Sequence, residues 1–143
     1  MTSENYHATA VVVGAVGVLI RGPSGAGKSA LALSVLAQAK AMGCFAILVS
    51  DDQVWLSEHS GRLVARAPDP IAGLIEVRGL GPVKIEHEPA AVIDLIVDLV
   101  AQPERYQEAS EEMIAGVSLR RFDVSSADIA QATRVVLALV GEG

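Results

Sequence analysis

The feature that most constrains the fold of this chain is the glycine-rich segment GPSGAGKS at positions 22–29. It matches the phosphate-binding pattern G-x-x-x-x-G-K-[ST] in full. A β-branched apolar run at 11–20 precedes it, and an Ala- and Leu-rich stretch at 29–42 follows it. These two stretches are typical of a buried strand of a parallel sheet and of a helix. The segment therefore predicts an α/β fold in which a P-loop connects a strand to a helix.

The chemistry of this loop follows from its residue types. Glycines allow backbone N–H groups to converge on phosphate oxygens, and the N-terminus of the following helix adds a positive dipole. The Lys28 ammonium can neutralise the β- and γ-phosphates, and the Ser29 hydroxyl can bind Mg²⁺. The loop indicates a nucleoside triphosphate or pyrophosphate as ligand, bound by Gly22, Pro23, Ser24, Gly25, Ala26, Gly27, Lys28 and Ser29.

The remaining sequence predicts a mixed sheet within one domain that covers residues 1–143. The first helix should end at Gly43, and the apolar strand at 45–50 should complete a βαβ unit. The turn signal at 59–61 predicts a hairpin that joins the sheet. Strands are expected at 74–78 and at 93–100, where the alternative is a helix with Asp94 and Asp98 on one face. A chain reversal is expected near Pro82, and a helix at 127–140 capped by Ser125 or Ser126 and followed by Gly141.

Composition excludes several classes of protein. Apolar residues make up 51% of the 143 residues and charged residues 20%, which indicates a folded chain with a substantial core. A net charge of −6 argues against general binding to nucleic acid. The apolar run at 11–20 is too short to span a membrane and has no basic flank. The single Cys44 lies beside an apolar run, so we expect a buried thiol in a reducing, cytoplasmic protein.

Acidic residues follow two of the predicted strands. Asp51 and Asp52 come directly after the strand at 45–50, at the sheet edge where ligands bind in open α/β folds. One carboxylate could hold Mg²⁺ or its water, and the other could accept a proton from an acceptor hydroxyl. Glu76 lies between apolar residues on a strand, so its side chain either faces outward or binds the metal.

Three common P-loop classes lack support in the sequence. A GTPase would carry an N-K-x-D motif, but Asn5 is the only asparagine. An ABC-type ATPase would carry an L-S-G-G-Q segment, and a nucleoside monophosphate kinase would carry an arginine-rich lid. Neither feature is present in the sequence.

Three segments together resemble the catalytic domain of HPr kinase/phosphorylase: LIRGPSGAGKSALAL, LVSDDQV and GLIEVRGLGPVKI. The resemblance covers about residues 7–122 and includes IAGVSLRRFDV at 114–124. It implies a P-loop core similar to that of phosphoenolpyruvate carboxykinase. The implied enzyme is cytoplasmic and uses ATP, or pyrophosphate, with Mg²⁺ to phosphorylate a serine of HPr, the phosphocarrier of the sugar phosphotransferase system. The resemblance also implies a homo-oligomer, with a hexamer suggested.

The resemblance also implies roles for individual residues. Lys28 would hold the transferred phosphoryl group, and Ser29 with Glu76 would bind the metal. Asp52 is similar to the family's proton acceptor, with Asp51 as its close rival. His7 matches the family's active-site histidine, and Arg78 lies in a stretch used in both directions of catalysis.

Departures from the family leave other functions open. Typical members have an additional N-terminal domain and, after the position of Phe122, an arginine-bearing element associated with dephosphorylation. This sequence shows neither, and Arg134 is a weak substitute, so we expect weak phosphorolysis. The alternatives are a nucleotide-binding sensor with little transfer activity and a P-loop kinase of small molecules.

Overall fold

The computed structural model describes residues 3–142 and contains twelve strands, two α-helices and a 3₁₀ turn at Asp69–Ile71 within that range. The first strands are β1 (Glu4–Tyr6), β2 (Ala8–Val13), β3 (Val16–Arg21), β4 (Ala46–Ser50), β5 (Val54–His59) and β6 (Arg62–Arg66). The later ones are β7 (Leu74–Val77), β8 (Gly81–Lys84), β9 (Ala90–Ile93), β10 (Leu95–Val100), β11 (Ser110–Ile114) and β12 (Val117–Ser125). The helices are α1 (Lys28–Ala41) and α2 (Ile129–Glu142).

A six-stranded mixed sheet forms the centre of the fold, in the order β11-β12-β10-β3-β2-β4. β10 pairs in parallel with both β3 and β12, whereas β2 runs antiparallel to β3 and β4. The predicted α/β class with a mixed sheet is therefore confirmed. β3 and β4, on either side of α1 in the chain, run parallel to each other with β2 between them.

The expectation of a single strand at 11–20 is wrong. The chain reverses at Gly14, so β2 and β3 form an antiparallel hairpin with Val11 opposite Val18. Gly14 adopts a φ of 62°, a left-handed conformation that glycine reaches without steric cost. The sequence did not reveal this hairpin because most residues of both strands are buried. Such strands lack the alternation of apolar and polar residues that marks a half-buried strand.

Helices α1 and α2 pack side by side on one face of the central sheet. Val18 and Ile20 of β3 point into the core on this face, together with Leu31 and Val35 of α1 and Val136 of α2. Neither helix of the described chain is long and apolar enough to cross a lipid bilayer.

A second, four-stranded antiparallel sheet covers the opposite face, in the order β1-β5-β6-β9. The predicted hairpin is present as β5 and β6, but it belongs to this separate sheet and does not extend the central one. Leu19 of β3 packs with Leu56 and Leu63 between the two sheets. The two layers approach closely at Gly17, where an added Cβ would lie 1.8 Å from the Val92 carbonyl oxygen. The side chains between the two sheets thus form a second hydrophobic core, which the prediction of a single sheet did not include.

The segment expected as one strand at 93–100 is divided between these sheets. β9 ends at Ile93 and β10 begins at Leu95, with Asp94 between them. Asp94 bonds Gly17 twice, accepting from its N–H through Oδ2 at 2.9 Å and donating its own N–H to the Gly17 carbonyl at 2.8 Å. This pair of hydrogen bonds fixes the point at which the chain changes sheet.

Helix ends agree with the sequence in part. Gly43 takes φ 80° after α1, and the N–H groups of Gly43 and Cys44 bond the carbonyls of Lys40 and Ala39, the expected glycine C-terminal arrangement. Cys44 itself is exposed, contrary to the expected buried thiol, because it lies in the turn before β4 begins.

The second helix starts slightly later than expected. Asp128 caps α2 by accepting the Gln131 N–H at 3.0 Å, while Ser125 accepts the N–H groups of Ala127 and Asp128 in the preceding turn. Gly141 is included in the helix and does not follow its end.

Candidate active site

The P-loop lies where β3 leaves the central sheet and α1 begins. Gly25 and Gly27 adopt φ values of 81° and 104°, in the left-handed region that favours glycine, and the Ala26 N–H bonds the Pro23 carbonyl at 3.0 Å. Gly22 lies in a tight space, since an added Cβ would lie 3.1 Å from the Leu99 Cβ and 3.3 Å from the Ala26 Cβ, so a larger residue would require both side chains to shift slightly. The loop therefore has the turn geometry that the sequence pattern predicts.

Lys28 is the first residue of α1, and its side chain folds back over the loop. The ammonium donates to the Gly22 carbonyl at 3.0 Å and to the Pro23 carbonyl at 3.5 Å. It also lies 3.7 Å from the Asp52 Oδ1, with only 5% of the side chain exposed. These contacts hold a buried positive charge at the loop where phosphate groups are expected.

Asp51 is buried and forms the hydrogen-bonding centre of the site. Its two carboxylate oxygens accept from the Ser29 hydroxyl at 2.7 and 2.8 Å. They also accept from the Thr9 hydroxyl at 2.9 Å and from the Glu76 N–H at 2.9 Å. Asp51 therefore ties the P-loop serine to β2 and β7.

Asp52 faces in a different direction from Asp51. Its Oδ1 lies 3.2 Å from the His7 Nε2, and about half of each of these two side chains is exposed. Asp52 has a φ of 68°, a conformation that Asp adopts more readily than most residues. The structure thus brings together the predicted residues His7, Lys28 and Asp52 around one carboxylate oxygen, which is partly open to solvent.

The groups around Ser29 can be tested for their fit to Mg²⁺. Ser29 and Asp51 offer hard oxygen ligands, and the buried Asp51 carboxylate makes no ion pair within residues 3–142. In the same range no cluster of three or more His, Cys, Asp or Glu side chains is suited to hold a metal. The Ser29 and Asp51 oxygens fit Mg²⁺, which usually takes one or two carboxylates together with water and phosphate oxygens.

The side chains of two predicted site residues, Glu76 and Arg78, do not make polar contacts with the other residues of the site. Glu76 meets Asp51 through its backbone N–H, while its own carboxylate is exposed and forms no hydrogen bond within the described chain. Arg78 is exposed in the turn after β7 and has no polar partner among the same residues. Arg134 is exposed on α2. Roles for Glu76 and Arg78 therefore stay predictions.

Sequence reasoning missed Thr9, which is fully buried on β2 and contacts both aspartates. The sequence feature that could have identified Thr9 is its hydroxyl, which is the only polar side-chain group in the apolar run ATAVVV, two residues after His7. A buried hydroxyl needs a hydrogen-bonding partner, so such a residue indicates a polar group nearby.

A cluster of ion pairs supports the strand ends immediately before the P-loop. Arg21, the residue preceding Gly22, bonds Asp98 at 2.7 and 2.9 Å and Glu112 at 2.6 and 2.8 Å. Arg121 bonds Asp98 and Asp123. Parallel pairing aligns Asp98 with Arg21 on one side and with Asp123 on the other, so Arg21 and Asp98 are direct neighbours and Arg121 contacts both carboxylates.

These contacts shift the pKa values of the groups involved. Hydrogen bonds from Arg21 hold the pKa of Glu112 below its usual value. Burial opposes ionisation of Asp98, but hydrogen bonds from Arg21 and Arg121 outweigh it and lower the pKa of Asp98. The two carboxylates in turn raise the pKa of Arg21. Arg21, Asp98 and Glu112 are therefore charged at neutral pH.

Because the pKa values of Asp98 and Glu112 are lower in the folded state, their stabilisation is present above the unfolded values near 4 and is lost as the pH falls through the folded values. We expect Glu112→Gln to lower the free energy of unfolding by up to about 1 kcal/mol at pH 7, given its partial exposure. The difference from wild type should shrink at pH 3, as measured by urea unfolding. Glu111→Gln is the matched control, since its exposed carboxylate has no ion pair among the described residues. A Glu112→Gln effect equal at both pH values would contradict this assignment.

The sequence of this chain is similar to those of known proteins. Residues 1–131 match the family described as HPr Serine kinase C-terminal domain. Relatives named HPr kinase/phosphorylase include those of Clostridium beijerinckii, 38% identical over 79 residues, and Mycoplasmopsis pulmonis, 40% identical over 79 residues. Each alignment covers 55% of this chain and 24% of the relative, so the matched part is about a quarter of the relatives' length.

A solved structure shows the same fold. The HPr(Ser) kinase/phosphatase from Coxiella burnetii superposes with a TM-score of 0.80 at 23% sequence identity, over 97% of this chain and 89% of that one. The match to the family extends over the P-loop, both aspartates and the β7–β8 hairpin. The chain belongs to the HPr Serine kinase C-terminal domain family.

Proposed function

We propose that residues 1–143 form a catalytic domain that transfers the γ-phosphoryl group of ATP to a seryl hydroxyl of HPr, with Mg²⁺ as cofactor. The observation that carries the proposal is the convergence of a cation, a carboxylate and an imidazole beside the P-loop. Asp52 Oδ1 lies 3.7 Å from the Lys28 Nζ and 3.2 Å from the His7 Nε2. Family membership supports HPr as the acceptor.

In the proposed reaction, the P-loop amides and Lys28 hold the phosphate groups and stabilise the negative charge that develops during transfer. Asp52 accepts the proton of the acceptor hydroxyl as that oxygen attacks the γ-phosphorus, and the bond from phosphorus to the ADP oxygen breaks. His7 orients the Asp52 carboxylate from the solvent side. The partial exposure of Asp52 suits this role, because a protein acceptor must reach it from outside.

Ser29 and Asp51 would hold the magnesium ion, with Glu76 as a further candidate ligand. The ion supplies neutralisation of the phosphate charge when bound. Asp51 also keeps the Ser29 hydroxyl in place, since both of its carboxylate oxygens accept from that group. Asp51 is thus better suited to holding the metal and the loop than to accepting the substrate proton.

The test is incubation of the purified protein with γ-labelled ATP, Mg²⁺ and HPr. We expect label on HPr and none on an HPr variant whose acceptor serine is replaced by alanine. Nucleotide binding without transfer to HPr would contradict the proposal and favour a sensor. Label on a small molecule in place of HPr would favour the other alternative, a small-molecule kinase.

The proposal includes assembly as a homo-oligomer, supported by the family resemblance. Several large apolar side chains of the described chain are exposed and could be covered by another subunit, namely Met42, Phe45, Leu80, Tyr106 and Met113.

A further inference from the structure

We propose that Thr9 is a positioning residue that gives Asp51 and Asp52 their different tasks. The proposal rests on the function proposed above, in which Asp51 holds the loop and metal and Asp52 accepts the proton. Thr9 contacts no reacting group itself and would act only through the two aspartates.

The Thr9 hydroxyl makes one hydrogen bond to each aspartate. It donates to the Asp51 Oδ1 at 2.9 Å and accepts the Asp52 N–H at 3.0 Å. A hydroxyl has one hydrogen to donate and lone pairs to accept, so the two bonds can form together. Thr9 is fully buried in the hairpin strand β2, which gives this group a rigid support.

The local backbone explains why a side chain is needed at this point. The pairing of β2 with β4 shifts in register between Ala10 and Val11, and after Ser50 the chain turns through Asp51 and Asp52. The turn is closed by the Gln53 N–H, which bonds the Asp51 carbonyl at 2.8 Å. The Asp52 N–H has no backbone partner among the described residues, and the Thr9 hydroxyl takes that place.

The division of tasks follows from this pair of bonds. Holding Asp51 Oδ1 keeps that carboxylate turned inward to Ser29 and the Glu76 N–H. Holding the Asp52 N–H stabilises its φ of 68°, and the Asp52 carboxylate then lies beside Lys28 and His7. One hydroxyl thus separates two adjacent carboxylates into an inner and an outer position.

The experiment compares Thr9→Val, which keeps the shape and removes the hydroxyl, with Thr9→Ser, which keeps the hydroxyl. We expect Thr9→Val to lower kcat for HPr phosphorylation by about 10- to 100-fold, the scale of a misplaced catalytic group. The KM for nucleotide should rise by a smaller factor than kcat falls, because Asp51 loses the Thr9 bond but still has the Ser29 hydroxyl and the Glu76 N–H as partners. Thr9→Ser should restore kcat to within about 3-fold of wild type. Equal kcat values for the valine and serine variants would overturn the proposal.

A readout that needs no activity separates this proposal from the proposed function. In amide hydrogen exchange followed by NMR, the Asp52 N–H should exchange about 10-fold faster in Thr9→Val than in wild type or Thr9→Ser, as expected for loss of about one hydrogen bond. Amides of the β2–β3 pairing should exchange at unchanged rates. Unchanged exchange at Asp52 would overturn the proposal even if HPr were a substrate.

The wild-type protein provides a third measurement, in case Thr9→Val does not fold. A buried hydroxyl bonded to a carboxylate should give a slowly exchanging proton resonance with a nuclear Overhauser contact to the Asp52 amide. A Thr9 hydroxyl proton that exchanges with water at the rate of an exposed one would overturn the proposal.

Discussion

Replacing Lys28 with alanine is expected to lower phosphoryl transfer to HPr by about 10³-fold or more, since a preorganised cation at the developing charge contributes several kcal/mol to catalysis. The charge is well placed for this effect, because the side chain is buried and its ammonium bonds the Gly22 carbonyl at 3.0 Å. The measurement is the initial rate of label transfer from γ-labelled ATP, with ADP binding determined separately by calorimetry. ADP should still bind through the loop amides.

Two further variants make the Lys28 result specific. Lys28→Met keeps most of the buried hydrocarbon stem and removes only the charge, so it should lose transfer as Lys28→Ala does. Lys40→Ala makes the same change at an exposed position in the last turn of the same helix and should transfer at the wild-type rate. Near wild-type transfer in Lys28→Met would show that the P-loop is not the catalytic site.

Asp52→Asn is expected to lower kcat by about 10²-fold or more while ATP and Mg²⁺ still bind, the scale of a lost general base. Asn is, with Asp, among the residues that best tolerate the φ of 68° at this position, so the turn should keep its shape. The amide would still occupy the place beside His7 and Lys28 but could not accept the substrate proton at neutral pH. Steady-state kinetics with HPr, together with calorimetric titration of the nucleotide, would measure the two effects.

Asp51→Asn is the informative comparison, because it makes the same chemical change one residue away. The Asp51 carboxylate accepts from the Ser29 and Thr9 hydroxyls and from the Glu76 N–H, and an amide would turn one of its acceptors into a donor. We therefore expect weaker binding of Mg²⁺-nucleotide and lower stability as well as slower transfer. Asp69→Asn, a change in an exposed carboxylate of the 3₁₀ turn, should have no effect. If Asp52→Asn were nearly normal and Asp51→Asn lost only kcat, the two roles would be reversed.

The P-loop and its neighbours could be predicted because short-range rules govern them. The glycine pattern determines the turn, and Gly43 ends α1 through local hydrogen bonds. The β5–β6 hairpin and the β7 strand likewise follow from turn signals and alternating apolar residues. In each case the interactions that form the element join residues no more than 11 positions apart in the chain.

The arrangement of the strands could not be predicted, because it depends on contacts between residues that lie far apart in the chain. Residues 11–20 are apolar on both faces, so nothing in their pattern marks the reversal at Gly14. From its sequence, the β5–β6 hairpin could either extend the central sheet or cover one of its faces. The packing of Leu56 and Leu63 against Leu19 places it in the second sheet. Thr9 was missed for the same reason, since its partners lie more than 40 positions away.

The exposed Cys44 gives this protein a ready attachment point for a spectroscopic probe. It is the only cysteine in the chain, so a thiol-reactive dye would label each copy at one defined position without mutagenesis. Cys44 follows the C-terminal end of α1, whose 14 residues extend about 21 Å from the P-loop. A dye there would lie away from the nucleotide but within energy-transfer range of a fluorescent nucleotide analogue. Mixing donor- and acceptor-labelled copies would also report how subunits exchange in an assembly.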